Sequence, residues 1–263
     1  MYIHNLDPVI LEFGVISLRW YSLSYVAGIL FGWWYGKKII SRLNVAGAIK
    51  FSSEIFDDLI TILVLSIIIG GRLGYVIFYN FDYYLDNPYE ILMIWKGGMS
   101  FHGGLIGIVV GSLLFSIKRK IKLLILLDIV SLVAPVGIFF GRISNFINSE
   151  LFGKPTDVPW GVIFPKIDEL PRHPSQIYEA ILEGAILFFI LNLIIKKLDY
   201  IEGRCAAVFL ITYSIFRIFA EQFREPDIQV GYIFNFFSMG TLLSTIMLLV
   251  GLIMYLRIKC QKK

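Results

Sequence analysis

LLILLDIVSLVAPVGIFFGRISNF, residues 123–146, is the stretch of this sequence that decides the fold. It is long enough to cross a hydrocarbon core, which takes about 20 apolar residues. It also carries two charged side chains, Asp128 and Arg142. An arginine inside a membrane costs roughly 2.5–3.5 kcal/mol on insertion scales, so it usually marks a functional site. This stretch therefore predicts a membrane-spanning helix that contributes to function.

The composition of the whole chain agrees with this interpretation. Of its 263 residues, 57% are hydrophobic and 17% are charged. A soluble domain is about 45–50% apolar and about a quarter charged. The net charge of +4 gives no reason to expect a nucleic-acid partner. The sequence predicts a polytopic helical membrane protein.

Seven segments have the length and apolar character of membrane spans. We predict an all-α polytopic membrane protein, a single integral membrane domain over residues 1–263 with seven transmembrane helices. Their predicted bounds are 18–38, 57–80, 94–117, 123–146, 175–195, 205–222 and 236–256. The segment 151–174 is rich in proline, which disfavours a helix. We predict a small, ordered, non-helical cap there.

Lys and Arg are unevenly distributed over the predicted loops, and this bias sets the orientation. With the N-terminus outside, 15 of the 24 Lys and Arg residues fall in cytoplasmic segments and six fall in outer segments. We therefore predict an outside N-terminus, a cytoplasmic C-terminus and an extracytoplasmic cap.

Three arginines lie well inside long apolar stretches, namely Arg72, Arg142 and Arg217. In the predicted topology all three lie near the outer face, as do His102 in the third span and Tyr21 in the first. A guanidinium binds phosphate through a planar, bidentate fork. The spans are therefore predicted to converge on a site for an anionic headgroup in the outer-leaflet half of the membrane.

A glycine-rich string, GGMSFHGG (residues 97–104), surrounds His102. Glycines recur every four residues in a ladder typical of close helix packing: Gly103, Gly107 and Gly111. We predict that Gly107 and Gly111 pack against a neighbouring helix, whereas the glycines of 97–104 shape a pocket. His102 is either part of the site or a polar residue satisfied within the fold.

The polar string GRISNFINSE, residues 141–150, ends the fourth span. Arg142 and Asn145 are three residues apart and share a helix face. A snorkelling arginine beside polar capping residues is the alternative. The unbroken polar character up to Glu150 favours a site.

A polar stripe runs along the sixth predicted span. Tyr213, Arg217 and Glu221 are spaced four residues apart, so they share one helix face. The alternative is a buried pair of Arg217 and Glu221 that only neutralises itself.

Two charged residues of the predicted spans have less certain roles, Arg72 and Asp128. For Arg72, which follows two glycines, a structural role and a ligand-binding role are equally open. Asp128 lies far from the other candidates along its span, so we interpret it as a capping residue or as a partner of Lys122.

Several strings together resemble those of one enzyme family: GGRLGY (70–75), GMSFHGGLIG (98–107), GRISNFINSE (141–150), RHPSQ (172–176) followed by Tyr178 and Glu179, and FRIFAEQFREPD (216–227). From about Asp7 to the last span, the sequence is similar to the phosphatidylglycerol–prolipoprotein diacylglyceryl transferases. Positions carried over by motif are Tyr21, His102, Asp128, Arg142, Asn145, Glu150, Gly153, Tyr213, Arg217 and Glu221. For Asp128 this resemblance implies a functional role that the residue's position alone does not favour.

The resemblance implies a multi-pass enzyme of the bacterial inner or plasma membrane, with its active site toward the outer leaflet. Such an enzyme transfers the diacylglyceryl group of phosphatidylglycerol to the lipobox cysteine thiol of a prolipoprotein. A thioether forms and glycerol 1-phosphate leaves, which is the first step of lipoprotein maturation. The expected partners are phosphatidylglycerol, prolipoprotein signal peptides and membrane lipids. No cofactor or metal is expected.

The candidate residues fall into three groups by expected role. The catalytic candidates are Tyr21, His102, Arg142, Glu150 and Arg217. The candidates for binding phosphatidylglycerol are Gly103, Gly104, Arg142, Asn145, Gly153, Tyr213, Arg217 and Glu221. The additional candidates are Arg72, Asp128 and Arg224.

The nucleophile would be the substrate cysteine, whose free thiol has a pKa of about 8.5. A base or a positive field must therefore raise its thiolate fraction. His102 is either that base or a group that positions the substrate. Glu150 and Glu221 are expected to orient the arginines.

Three other classes of membrane protein fit less well. An anion or lipid transporter would need polar access from both faces, whereas the candidates collect near one. A retinal-binding receptor would need a lysine in the seventh span, Phe236 to Leu256, which contains none. An intramembrane serine protease would need a Gly-x-Ser-Gly arrangement, which residues 98–101 do not supply.

Overall fold

The structure of the chain is a computed structural model and describes residues 2–13, 16–197, 199–225, 232–233 and 237–260. Its α-helices are α1 (Trp20–Val45), α2 (Ser53–Tyr79), α3 (Phe81–Asp86), α4 (Phe101–Arg119), α5 (Leu123–Ile147), α6 (Ser175–Glu179), α7 (Leu187–Lys197), α8 (Arg204–Glu221) and α9 (Met239–Cys260). A π-helical segment, Ala180–Ile186, joins α6 to α7. Two 3₁₀ turns, Pro88–Leu92 and Ile94–Lys96, precede α4.

The described part of the chain is mostly helical, but short strands amend the all-α prediction. They are β1 (Tyr2–Ile3), β2 (Val9–Phe13), β3 (Ile16–Arg19), β4 (Val162–Ile163), β5 (Pro171–Arg172), β6 (Tyr232–Ile233) and β7 (Phe237–Ser238). β4 pairs in parallel with β1 and antiparallel with β5, whereas β2–β3 and β6–β7 are antiparallel pairs. The segment 151–174 contains β4 and β5 and no helix, which confirms the non-helical cap.

Each predicted span coincides with a long helical segment of the described chain. Four of these segments are long and apolar enough to cross a membrane, judged by length and composition. They are Ser53–Tyr79, Leu123–Ile147, Ser175–Lys196 and Met239–Cys260. The chain is therefore a membrane protein by composition and helix length, and the three remaining spans stay predictions.

The predicted start of the third span, residue 94, is wrong. The helix begins at Phe101, because Gly97 and Gly98 adopt φ angles of 82° and 80°, outside the helical region. A side chain at Gly98 would also collide with the ring of Tyr75, which a Cβ there would approach to 2.5 Å. Residue 236, the predicted start of the seventh span, lies outside the described residues.

The chain divides into two compact units. The first comprises residues 1–36 and 128–263, and the second comprises residues 37–127. Both boundaries fall within helices, α1 and α5. The two units are described separately below.

Glycines hold the second unit together where α2 meets α4. A Cβ at Gly103 would lie 2.8 Å from the Cα of Gly74, and one at Gly107 would lie 3.3 Å from the Cα of Gly70. At Gly111 a Cβ would meet the side chain of Ser66. Because small residues occupy both sides, the two backbones approach closely, as in other small-residue helix pairs of membranes. The predicted packing ladder is confirmed.

Small and polar residues also join the helices of the first unit. In α5, the Ser144 hydroxyl, which is buried, lies 2.5 Å from that of Ser24 in α1. A Cβ at Gly251 of α9 would come within 2.9 Å of the Leu210 side chain of α8. These close approaches fix the positions of α5 and α8, which carry the charged residues described next.

Candidate functional site

A cluster of buried ion pairs lies between α5, α8 and the helix that runs from α6 into α7. Arg142 of α5 faces two carboxylates: its Nε lies 3.0 Å from Glu179 Oε2, and its Nη2 lies 3.3 Å from Glu183 Oε2. Arg217 of α8 reaches the same two residues, forming a short ion pair with Glu179 and approaching Glu183 Oε1 to 3.7 Å. Two glutamates therefore bridge two arginines.

Two further charged residues complete this cluster, which we call the Arg–Glu cluster. Glu221 Oε2 lies 2.5 Å from Arg217 Nη2, one helical turn away on α8. This ion pair agrees with both interpretations of the sequence, a carboxylate that orients Arg217 and a pair that only neutralises itself. Arg224 Nη1, just beyond α8, lies 3.5 Å from Glu179 Oε1. The cluster contains Arg142, Arg217, Arg224, Glu179, Glu183 and Glu221.

Local backbone geometry explains why these side chains meet. Glu179 ends α6 and Glu183 lies in the π-helical segment, so the two carboxylates are about one turn apart and share a face. At Gly184 a Cβ would lie 2.8 Å from the Cα of Phe139, so this helix lies directly against α5. Phe139 is three residues before Arg142, and Gly184 follows Glu183. The close approach therefore brings Glu183 to Arg142. π-Helical turns of this kind are frequent at functional sites.

The positive and negative formal charges of the cluster balance one another. Glu179 and Glu183 are fully buried, and Arg217 is 8% exposed. Charges this deep persist only when they are paired, because an isolated buried ion costs several kcal/mol. Among the described residues, the cluster contains three guanidinium groups and three carboxylates, so their formal charges balance. Among the described residues no group of three or more His, Cys, Asp or Glu side chains is arranged to hold a metal.

Asn145 and Glu150 lie in the turn that ends α5. The Asn145 side-chain amide donates to Glu150 Oε2 at 3.2 Å, and that of Asn148 donates to Glu150 Oε1 at 3.3 Å. The Gln176 amide donates to the Glu150 backbone carbonyl at 2.7 Å, which ties this turn to the start of α6. The sequence predicts that Glu150 orients an arginine, but its carboxylate instead accepts hydrogen bonds from amides.

Two candidate tyrosines lie in the first unit. Tyr213 is buried in α8 one turn before Arg217 and stacks on Phe209, with ring centroids 5.6 Å apart. Tyr21, at the start of α1, accepts a hydrogen bond of 3.1 Å from the Tyr25 hydroxyl and interacts electrostatically with Arg142. Both phenols therefore lie in the field of the Arg–Glu cluster.

Gly153 lies in the cap, where three backbone segments meet. Its N–H donates to the His173 carbonyl at 3.0 Å, and its carbonyl accepts from Arg172 Nη1 at 3.0 Å. A Cβ would lie 2.7 Å from the Phe223 carbonyl oxygen, so no larger residue fits without a shift. Arg172 also pairs with Asp168, 2.5 Å away, which lowers the pKa of that carboxyl. Gly153 therefore joins the cap to the end of α8.

Arg72 belongs to the second unit, where its guanidinium is saturated by backbone carbonyls. Its Nε donates to Ile91 at 2.9 Å, and Nη2 donates to Glu90 at 2.6 Å and to Met93 at 3.3 Å. Its Nη1 donates to Gly98 at 3.1 Å and to Gly97 in a shorter bond. All of these carbonyls belong to the segment 90–98, so Arg72 organises the turns before α4. Of the two roles left open by the sequence, the structure shows the structural one.

Asp128 caps the N-terminus of α8. Its carboxylate accepts from the backbone N–H groups of Gly203 at 2.7 Å and Ala206 at 2.8 Å, and from the Tyr200 hydroxyl at 3.0 Å. A carboxylate at this position satisfies unpaired N–H groups and interacts favourably with the helix dipole. The predicted capping role is confirmed, although the helix that Asp128 caps is not its own.

The glycine-rich string lies in the second unit, at the start of α4. His102 is the second residue of that helix, and its side chain lies outside the described part of the structure. The predicted division between pocket-shaping and packing glycines is wrong at Gly103, which lies in the contact between α2 and α4. Gly104 makes only ordinary contacts there, with a Cβ 3.7 Å from Ile67.

Comparison with known proteins adds a second, independent observation. The family described as prolipoprotein diacylglyceryl transferase matches residues 8–257, nearly the whole chain. The chain belongs to this family. It is 49% identical over 253 residues, 95% of this chain and 96% of the other, to the phosphatidylglycerol–prolipoprotein diacylglyceryl transferase of Rickettsia typhi.

Two further relatives of the same name show similar coverage. The protein of Rhodospirillum rubrum is 48% identical over 95% of this chain and 91% of its own length. That of Rickettsia bellii is 46% identical over 98% of this chain and 97% of its own length. The resemblance inferred from short strings is thereby confirmed as a full-length relationship to the prolipoprotein diacylglyceryl transferases.

Glu179 and Glu183 are the residues of this transferase that sequence reasoning missed as site candidates. Both lie inside the predicted span 175–195. An acidic residue within a span is as unusual as an arginine, and it is commonly paired with a basic one. Applying to acidic residues the criterion used for Arg142 and Arg217 would have identified both.

Proposed function

We propose that this chain transfers the diacylglyceryl group of phosphatidylglycerol to the lipobox cysteine of a prolipoprotein. The thiol sulfur bonds to the glyceryl carbon, the carbon–oxygen bond to phosphate breaks, and glycerol 1-phosphate leaves. The observation that carries the proposal is the full-length similarity to relatives named for this activity. A transporter of anions or lipids is not favoured by these relatives.

The Arg–Glu cluster supplies the chemistry that this reaction needs. Negative charge accumulates on the leaving phosphate, so the transition state is stabilised by fixed positive charge in a site of low dielectric constant. Arg142 and Arg217 share the carboxylate of Glu179: Arg142 Nε lies 3.0 Å from Glu179 Oε2, and Arg217 forms a shorter ion pair with Glu179 Oε1. In the proposed complex the lipid phosphate replaces part of this carboxylate coordination and accepts hydrogen bonds from both guanidiniums. Asn145 and Tyr213 are the proposed additional donors.

Activation of the substrate thiol is proposed to follow one of two routes. In the first, His102 removes the thiol proton, since a histidine titrates near neutral pH. In the second, the positive field of the arginines raises the thiolate fraction and His102 positions the substrate. Tyr21 and Glu150 lie beside the end of α5 and are proposed to contact the substrate from that side.

The proposed setting is the bacterial inner or plasma membrane, with seven spans, an outer N-terminus and a cytoplasmic C-terminus. Four helical segments have the length and composition of spans. The other three, α1, α4 and α8, are 26, 19 and 18 residues long, and 18 residues rise about 27 Å along a helix. The Lys and Arg distribution supports this orientation. The site is then proposed to face the outer leaflet, where phosphatidylglycerol and the signal peptide enter sideways between helices.

The test is transfer by the purified protein from phosphatidylglycerol to a lipobox peptide, with the thioether product detected by mass spectrometry. Arg142→Ala and Arg217→Ala are each expected to lower turnover by about 100-fold or more, the usual effect of removing one charge-stabilising donor. Arg257→Ala, at an exposed position in α9, is the matched control and is expected to retain wild-type turnover. Folding of each variant is checked by thermal unfolding in detergent.

Two results would contradict the proposal. If the folded wild-type protein gives no thioether product, the chain is not this transferase, and anion uptake into vesicles becomes the next measurement. If Arg142→Ala and Arg217→Ala fold and turn over like Arg257→Ala, the reaction does not take place at the Arg–Glu cluster. His102→Gln separates the two routes, because it abolishes turnover only if His102 is the base.

A further inference from the structure

Glu183 is held less tightly than the other carboxylates of the Arg–Glu cluster. Glu179 contacts three arginines, and Glu221 lies 2.5 Å from Arg217. The distances of Glu183 are longer: its Oε2 lies 3.3 Å from Arg142 Nη2, and its Oε1 lies 3.7 Å from Arg217 Nη1. Like one oxygen of Glu179 and one of Glu221, its Oε1 is fully buried and accepts no hydrogen bond from the described residues, so the longer ion-pair distances are what set Glu183 apart. A buried carboxylate oxygen without a donor is costly, and here it points toward the arginines.

The charge of the cluster constrains what happens when a phosphate enters. Without substrate, the positive charges of Arg142, Arg217 and Arg224 equal the negative charges of three glutamates. A phosphodiester carries one negative charge, so its entry would leave one uncompensated negative charge in a buried site. Such a charge costs several kcal/mol. The cost disappears if one carboxylate takes up a proton from solvent as the phosphate binds.

We infer that Glu183 is the exchangeable counter-ion of this site, which takes up one proton when the phosphate of the lipid displaces it from Arg142 and Arg217. The inference rests on the proposed function, because it assumes that a lipid phosphate binds there. Before binding, the cluster holds three positive and three negative charges. After binding, it holds three positive charges, two carboxylates and one phosphodiester, so neutrality is kept.

The surroundings of Glu183 suit this role. The charged and titratable groups that face it are Arg142 from α5, Tyr213 and Arg217 from α8, and Glu179 from its own helix. Glu183 stands in the π-helical segment, and the adjacent Gly184 lies against Phe139. This contact holds the backbone of Glu183 beside the arginines, and protonation removes the charge of its carboxylate without moving that backbone. Glu183 is in this sense a positioning residue: it holds the arginines in place until phosphate replaces it.

The experiment counts the protons bound together with the lipid. Phosphatidylglycerol is titrated into the purified protein in detergent at pH 7, in two buffers of different ionisation enthalpy. Calorimetry in the two buffers gives the proton uptake per lipid bound. About one proton is expected for the wild-type protein and about none for Glu183→Gln. Correspondingly, the wild-type dissociation constant is expected to rise up to tenfold per pH unit, as for one linked proton, whereas that of Glu183→Gln stays flat.

Two controls separate this role from a merely structural one. Glu169→Gln removes an exposed carboxylate of the cap and is expected to keep the wild-type proton count. Diacylglycerol, which lacks the phosphate, is expected to show no proton uptake with any variant. If Glu183→Gln does not fold, a wild-type count near zero still overturns the inference, and so does a count that falls to zero in His102→Gln, because the imidazole would then be the proton acceptor.

Wild-type binding without proton uptake would overturn the inference, as would unchanged uptake in Glu183→Gln. Neither result would contradict the proposed function, because that function is tested by thioether formation rather than by binding. Conversely, protein that binds phosphatidylglycerol with one proton but forms no thioether would leave the counter-ion role standing and refute the transferase.

Discussion

Asp128 is expected to stabilise the fold rather than to take part in the reaction, and Asp128→Asn tests this directly. Its carboxylate accepts from two backbone N–H groups at the start of α8 and from one tyrosine hydroxyl, at 2.7, 2.8 and 3.0 Å. Asparagine keeps one acceptor oxygen and replaces the other by a donor. One of the buried N–H groups is then left without a partner.

The size of the effect follows from these contacts. A buried donor without an acceptor costs about 1–3 kcal/mol, and the lost charge at a helix N-terminus costs about 0.3–1 kcal/mol more. The sum is roughly 1–4 kcal/mol. At about 2–4 °C per kcal/mol, Asp128→Asn is expected to lower the melting temperature by roughly 2–16 °C. Asp128→Ala, which removes every acceptor, is expected to lower it further.

The assay measures melting temperature and transfer rate on the same preparations, with the rate expressed per folded molecule. Asp199→Asn, at an exposed position in the loop before α8, is the matched control and is expected to change neither quantity. The reasoning is refuted if Asp128→Asn melts like the wild-type protein but has lost its transfer activity. Asp128 would then be a catalytic residue, as the family resemblance implies.

Three further outcomes are expected. Arg72→Met should destabilise the protein by about 1.5–3 kcal/mol, the usual contribution of hydrogen bonds to a charged group, while leaving the transfer rate per folded molecule unchanged; a lost rate in a stably folded variant would contradict the structural role. Gly103→Ala should lower the melting temperature clearly and Gly104→Ala hardly at all, because only the first Cβ would meet backbone at 2.8 Å; equal effects would count against the helix contact. Burial lowers the pKa of His4 from 6.5, so its stabilising contribution is complete above that pH and is lost as the pH falls below it. His4→Phe should therefore flatten the decline in melting temperature between pH 7 and pH 5, and an unchanged slope would show that other groups cause it.

Much of the architecture could be predicted because a membrane leaves few alternatives. Every backbone polar group must be satisfied within its own segment, so a long apolar run becomes a helix. The fourth predicted span, 123–146, differs from α5 by one residue at its end. The predicted start of the third span is wrong because Gly97 and Gly98 adopt positive φ angles, which the composition does not reveal. The two-residue strands β1 and β4 escaped prediction because their pairing joins distant segments, as between Tyr2 and Val162.

Only part of the site could be predicted from the sequence. Arg142 and Arg217 stand out because an arginine in an apolar stretch is rare. Arg72 is equally rare in this respect, so the criterion did not distinguish it from Arg142 and Arg217. Its carbonyl partners lie 18 to 26 residues further along the chain. A sequence shows which side chains are charged, but it does not show which groups each charged side chain contacts. Whether an arginine is free for a ligand depends on which acceptors the fold places around it.

The sequence by itself determined that this is a helical membrane protein of a particular enzyme family, because apolar length and motif order are properties of the chain. Only the tertiary structure decided which charges share one buried site. Glu179 and Glu183 meet Arg142 and Arg217 because a π-helical segment and a glycine contact bring α5 and α8 to the same helix face. Buried charges stabilise a fold only through partners at ion-pair distance. Those distances are set by helix packing between segments far apart in the chain.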